Sequence, residues 1–181
     1  MNYLRKKMHV AIGAVSLMPL TLALMVGAST PAIAPTKAEA LVVKPLSQTW
    51  KVKTLAKYAN AHYLSDRDLV SLLSAVGFKG QDLREAWAVA KKETNGRPLA
   101  HNGNHKTGDN SYGIFQINML GDLGPIRREQ FGLKSNSDLL NPVVNAQIAY
   151  HMSNGGKNWS AWKGMTARTK YWLKKFPQTK A

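Results

Sequence analysis

From Ser65 onward the apolar residues of this chain fall into helical registers separated by short polar breaks. Leu69, Leu72, Leu73 and Val76 share one face of a helix; Ser65, with Asp68 three residues later, forms a weak capping-box variant, and Gly77 stops the run. A second helix is predicted over residues 81–94. Leu83, Ala86, Trp87 and Ala90 form its apolar stripe, Arg84, Glu85 and Lys92 point away, and Asn95-Gly96-Arg97-Pro98 ends it. Glu93 falls in the last turn at the border of that stripe, where it is partly desolvated. The pattern then changes. Residues 99–110 are almost all His, Asn, Gly, Lys, Thr and Asp, a composition for a polar loop or a short β-wing. Ser111 to Asn118 is aromatic and β-branched enough for a short irregular strand, and glycines and a proline follow at Gly121, Gly124 and Pro125. Asn141 as N-cap with Pro142 at the first position starts a helix to about Ser153, and residues 159–176 read as one or two short helices rich in aromatics and cations.

Upstream of Ser65 the helical pattern is missing. Arg5, Lys6 and Lys7 precede an uncharged run from Val10 to Pro35 and then Ala38-Glu39-Ala40, which together read as a secretory signal over residues 1–40; the apolar run is nearly long enough to serve instead as an uncleaved anchor. Residues 41–64 have no sustained periodicity and carry Lys44, Lys51, Lys53 and Lys57, which predicts a basic, loosely ordered linker with room for a short helix near residues 50–58. Residues 65–176 then form one domain and 177–181 a tail. With 181 residues and 44% hydrophobic content there is enough material for one core and too little for two sizeable ones.

The formal net charge is +15, and removing residues 1–40 leaves 21 basic and 9 acidic side chains. Such a surplus calls for an anionic partner. An exported protein meets anionic envelope polymers or phospholipid headgroups rather than nucleic acid, charge alone does not choose between those two, and no nucleic-acid fingerprint appears. The chain has no cysteine, so its core holds without disulfides and no lipid is attached through a thiol.

The chemistry centres on Glu93 and on Ser111-Tyr112-Gly113-Ile114-Phe115-Gln116-Ile117-Asn118, which begins eighteen positions later. Cleaving a glycoside requires a proton donor for the leaving oxygen, and a partly buried carboxylic acid can serve. If the octapeptide is extended, Gln116 and Asn118 lie on one face and offer two amides to a sugar. Asp109, two residues before Ser111, is a second carboxylate that the loop could bring to the same place. His101-x-x-x-His105 has the spacing of two metal ligands on a helix, but Asn102-Gly103-Asn104 argues against a helix and no third ligand is evident, so no metal is assigned.

These motifs resemble the lysozyme-like superfamily, and most closely its soluble lytic transglycosylase branch. Lysozymes of the animal c type carry Asp-Tyr-Gly-Ile-(apolar)-Gln-Ile-Asn, with the aspartate as second catalytic carboxylate; here Ser111 stands in its place. Transglycosylases carry Glu-Ser and later Ser-x-Gly-(apolar)-(apolar)-Gln-Ile, which Ser111 to Ile117 fits, while Thr94 replaces the usual serine after the glutamate and keeps a hydroxyl. The resemblance implies an α+β fold, lysozyme-like, mostly helical with a small β-wing and a glycan-binding cleft. It also implies an exported, monomeric enzyme of the cell envelope or its exterior that cuts peptidoglycan glycan strands without cofactor or metal. Glu93 would be the sole acid and base, and Ser111, Tyr112, Gln116, Asn118 and Tyr150 would bind substrate. Asn145 and Gln147 are further cleft candidates, whereas Trp159 and Trp162 belong to the back of the core. Two alternatives stand beside this reading: a muramidase using Asp109, and a basic wall-binding module without turnover.

Overall fold

The computed structural model describes residues 46–178; the expected signal over residues 1–40, the start of the expected linker and the final residues of the tail lie outside them. Among the described residues there are six α-helices and a small antiparallel sheet. The helices are α1 (Leu46–Tyr58), α2 (Asp66–Val76), α3 (Gly80–Thr94), α4 (Leu123–Phe131), α5 (Pro142–Met152) and α6 (Ala167–Leu173). The strands β1 (His101–Asn102), β2 (Ser111–Tyr112) and β3 (Ile117–Asn118) are ordered β1-β2-β3 between α3 and α4. This is the expected α+β arrangement, mostly helical with a β-wing. No helix among the described residues is long and apolar enough to cross a membrane.

The α2 start forms the capping box that the sequence predicts. Ser65 Oγ accepts from the Asp68 amide at 3.1 Å, and the Ser65 amide donates to Asp68 Oδ2 at 3.3 Å. Asp68 does more than cap. Its Oδ1 also accepts from the Tyr58 hydroxyl at 2.6 Å and from Lys57 Nζ at 3.2 Å, which joins the end of α1 to the start of α2. The Ser65 and Tyr58 hydrogen bonds hold the Asp68 carboxyl well below the usual carboxylate range. Where the sequence suggests a loose connector with room for a short helix, the structure has thirteen residues of helix whose last residue, Tyr58, is buried in the core. Lysines between the apolar positions of α1 obscure that packing in the sequence.

Helix α3 is the centre of the domain. Ala86, Trp87, Ala88, Val89 and Ala90 are all fully buried, so the helix is enclosed on every side rather than along one stripe. Its alanines admit close neighbours, and Trp87 meets Trp172 and Phe176 edge-on at 6.1 and 5.6 Å as α6 crosses it. Asn95 ends the helix in the left-handed conformation, with its amide donating to the Ala90 and Lys91 carbonyls. Helix α5 starts as predicted, with Asn141 Oδ1 accepting from the Val143 and Val144 amides and Pro142 in the first turn.

The segment after the wing also departs from its expected form. Arg127 and Arg128, which look like a charged loop in the sequence, lie in α4; Pro125 falls in the first turn, where its missing N–H costs no helical hydrogen bond.

Candidate active site

The last turn of α3 and the octapeptide hairpin meet side by side, and the contacts joining them come from buried polar side chains. The octapeptide is not one strand. Residues 111–112 and 117–118 pair as β2 and β3, Ser111 opposite Asn118 and Tyr112 opposite Ile117, with a tight turn over residues 113–116. Gly113 has φ +72°, and a Cβ there would lie 2.3 Å from both Asn145 Nδ2 and the Leu139 carbonyl oxygen, so only glycine fits.

Three side chains from three elements fix this turn. Asn145 of α5, fully buried, accepts from the Phe115 amide at 2.9 Å and donates to the carbonyls of Tyr112 and Leu139 at 2.9 and 3.0 Å. Thr94 of α3 donates its hydroxyl to the Ile114 carbonyl at 2.9 Å. Trp162 Nε1 donates to the Phe115 carbonyl at 2.7 Å. The hydroxyl kept at Thr94 thus ties the residue after Glu93 directly to the hairpin. Asn145 is a structural clamp and not a cleft residue, because its amide is saturated inside the core. Trp159 and Trp162 are buried, as the sequence suggests, although Trp162 also backs the cleft.

Glu93 is half-buried, with 23% of its side chain exposed, and it lines two adjoining cavities of about 530 and 630 Å³. Asn102 and Gln116 line both cavities as well, so Glu93 sits at their junction. One cavity continues past Asp109, Ser111 and Asn118 to Lys163 and Arg168; the other passes Tyr63, Arg97 and Leu99. Lys92 does not point away. Its side chain is only 11% exposed, and Nζ lies 2.7 Å from Glu93 Oε1 and 2.7 Å from the Trp162 carbonyl oxygen. The sequence pattern misses this because a long side chain at a helix end can fold back over the terminus, where the alternation of faces no longer applies.

The structure brings Asp109 to the cavity of Glu93. Ser111 Oγ donates to Asp109 Oδ1, and Asn102 Nδ2 donates to Oδ2 at 2.7 Å, so both carboxylate oxygens are engaged. Ser111 itself, in the central strand of the wing, is buried.

The predicted amides are differently employed. Gln116 has φ +49° and lies in the turn, so it does not share an extended face with Asn118. Its Nε2 donates to the Ala100 and Gly113 carbonyls at 3.2 and 3.1 Å. Asn118 Oδ1 accepts from the Asn110 and Leu120 amides, and Nδ2 donates to the Gly108 carbonyl at 3.0 Å. Both amides line the cleft while bracing its wing. Tyr112 stacks on His101 at 4.3 Å and lines neither cavity that Glu93 lines. Tyr150 is placed elsewhere: it packs edge-on against Phe78 at 4.9 Å and lines a separate cavity with Gly77 and Gly155, sharing no residue with the two at Glu93. His101 lies in β1 and His105 in a 3-10 turn, so the two do not share a helix face.

A larger cavity, about 740 Å³, lies between α4 and α5 and shares no lining residue with either cavity at Glu93. Its one acid, Asp138, is occupied by the amides of Lys134 and Ser135, at 2.7 and 3.1 Å.

A family profile described as a lysozyme-like domain matches residues 70–164, more than half of the chain, and it spans Glu93, the hairpin and the Asn145 clamp. The chain belongs to the lysozyme-like domain family. Comparison with curated proteins and with solved structures returns no match. Membership makes the coarse assignment, to a family of enzymes that act on peptidoglycan. In this lysozyme-like domain the central helix carries Glu93 into the cleft, the wing forms one wall, and the segment from Trp162 to Arg168 forms the other.

Proposed function

We propose that the protein is an exported peptidoglycan lytic transglycosylase that cleaves the β-1,4 bond between N-acetylmuramic acid and N-acetylglucosamine, with Glu93 as the single general acid and base. The observation that carries the reading is Glu93 at the junction of two cavities, with serine at the position where c-type lysozymes have their second carboxylate. Lys92 holds Oε1, and the carboxylate makes no other polar contact among the described residues, which leaves Oε2 for a sugar oxygen. Glu93 donates its proton to the glycosidic oxygen as the bond to C1 breaks. The resulting carboxylate then takes the proton of the muramic acid 6-hydroxyl while O6 bonds to C1, which closes a 1,6-anhydro ring. No water is consumed, and Glu93 ends protonated as it began.

A second reading is favoured by Asp109 in the same cavity. As a muramidase, the protein would use Asp109 as nucleophile or as base for water. The engagement of both Asp109 oxygens by Ser111 and Asn102 supports a bracing role instead. Mass analysis of digested glycan strands separates the two readings. The transglycosylase leaves 1,6-anhydro ends lighter by two hydrogens and one oxygen, whereas reducing ends alone mean hydrolysis. Glu93→Gln should abolish clearing of purified cell walls, and Asp109→Asn should still give anhydro ends. A folded protein that never clears walls would instead be a binding module on a lysozyme-like fold.

A further inference from the structure

Three cations line the cavity that runs from Glu93 toward the C-terminal segment: Lys92, Lys163 and Arg168. Lys92 is committed to Glu93 and to the Trp162 carbonyl. Lys163 and Arg168 are exposed and make no ion pair among the described residues, although the acids Glu93 and Asp109 line the same cavity. Lys163 is also held in the left-handed conformation, φ +61°, at the end of the 3-10 turn Ser160–Trp162, a position that glycine or asparagine would occupy with less strain. Arg168 projects from the first turn of α6. On the other side of Glu93 the full cation is Arg97, whose Nε is donated to the Thr94 carbonyl at 3.0 Å. Among the described residues the cleft therefore carries two unpaired cations on the wall beyond the acid, against one, Arg97, on the opposite side.

We infer that Lys163 and Arg168 form a carboxylate-reading wall that selects muramic acid strands bearing a negatively charged 3-O-substituent. The inference rests on the peptidoglycan reading above and adds to it the chemical group that is recognised. Muramic acid differs from N-acetylglucosamine by its 3-O-lactyl group. That group ends in a free carboxylate on peptide-free strands, or in an amide leading to a stem peptide with its own carboxylates. Two cations on the wall, one of them a planar guanidinium, fit either source of the same group. Neutral chains of N-acetylglucosamine offer them nothing.

The test uses the full chain carrying Glu93→Gln, so that strands bind without being cut. Binding is measured to peptide-free strands, to the same strands with their lactyl carboxyls converted to methylamides, and to peptide-bearing strands. The parent should prefer carboxylate strands over methylamide strands, and the preference should shrink as salt is raised. Lys163→Gln with Arg168→Gln should lose that preference by about five- to tenfold, the scale of two solvent-exposed charge pairs, while binding methylamide strands as before. Loss on peptide-free strands assigns the lactyl carboxylate, and loss confined to peptide-bearing strands assigns the stem peptide. An unchanged preference in the double variant, or an equal loss on methylamide strands, overturns the wall. If the parent binds all three strand types alike, the wall falls but the peptidoglycan reading stands; if it binds no strand at all, that reading falls first.

Discussion

Asn145→Ala is the sharpest perturbation of the link between fold and cleft. The side chain is fully buried and makes three hydrogen bonds of 2.9 to 3.0 Å, to the Phe115 amide and to the carbonyls of Tyr112 and Leu139. Alanine removes all three and provides no water to replace them. With about 1–3 kcal/mol for each buried polar group left unpaired, and some of the carbonyls able to find other donors, the loss comes to roughly 4 kcal/mol. That is a large part of the 5–15 kcal/mol that typically holds a domain together, and it corresponds to a fall in melting temperature of roughly 10–20 °C. Urea unfolding followed by tryptophan fluorescence reads it directly, since Trp162 is bonded to the same turn. Asn145→Asp provides the internal control. It keeps an acceptor for Phe115 but turns an anionic oxygen toward two carbonyls, so it should be no more stable than alanine at neutral pH. It should recover in part at low pH, where the protonated acid can again donate. An alanine variant within about 1 kcal/mol of the parent, or an aspartate variant as stable as the parent at neutral pH, would refute the clamp.

Other consequences can be measured with similar variants. Thr94→Val keeps the shape but removes the hydroxyl that donates to Ile114, and should cost about 1–2 kcal/mol in thermal or urea unfolding, whereas Thr94→Ser should stay close to the parent. Asp68 has a carboxyl held below its unfolded value of about 3.9, so the stability it contributes is fully present above that pH and drains away as pH falls toward the lower folded value. Asp68→Asn should therefore be less stable than the parent at neutral pH and show a shallower loss of stability below about pH 4; an unchanged acid limb would dismiss the role of the cap.

Helices α2, α3 and α5 were legible in the sequence because their stripes, caps and stops are local. Ser65 with Asp68, Asn95 before Gly96, and Asn141 before Pro142 each act within a few residues of the helix end they define. Helix α1 was obscured because its apolar positions are sparse along its own sequence and the hydroxyl of its buried last residue, Tyr58, finds its acceptor only in Asp68 of α2. The geometry of the candidate site was legible at Glu93, which lies at the end of α3 beside the hairpin, and at Gly113, where close approach leaves no room for a side chain. It was not legible where a polar side chain serves the interior. Asn145 and Gln116 have the appearance of ligand-binding amides until contacts spanning 30 and 16 positions show them bonded to backbone. Lys92 misled for a related reason: periodicity gives the direction of Cβ, not the endpoint of a flexible four-carbon chain.

The 2.3 Å that a Cβ at Gly113 would leave to Asn145 and to the Leu139 carbonyl has an evolutionary meaning as well. The two positions, 32 apart in the chain, are constrained unequally: the Leu139 carbonyl is backbone and excludes a side chain at 113 even where the amide at 145 is gone, whereas losing the amide strips the turn of its anchors. Descendants of this domain should keep glycine at 113 whatever stands at 145, and one without asparagine at 145 would have to hold its hairpin, and so one wall of its cleft, in some other way.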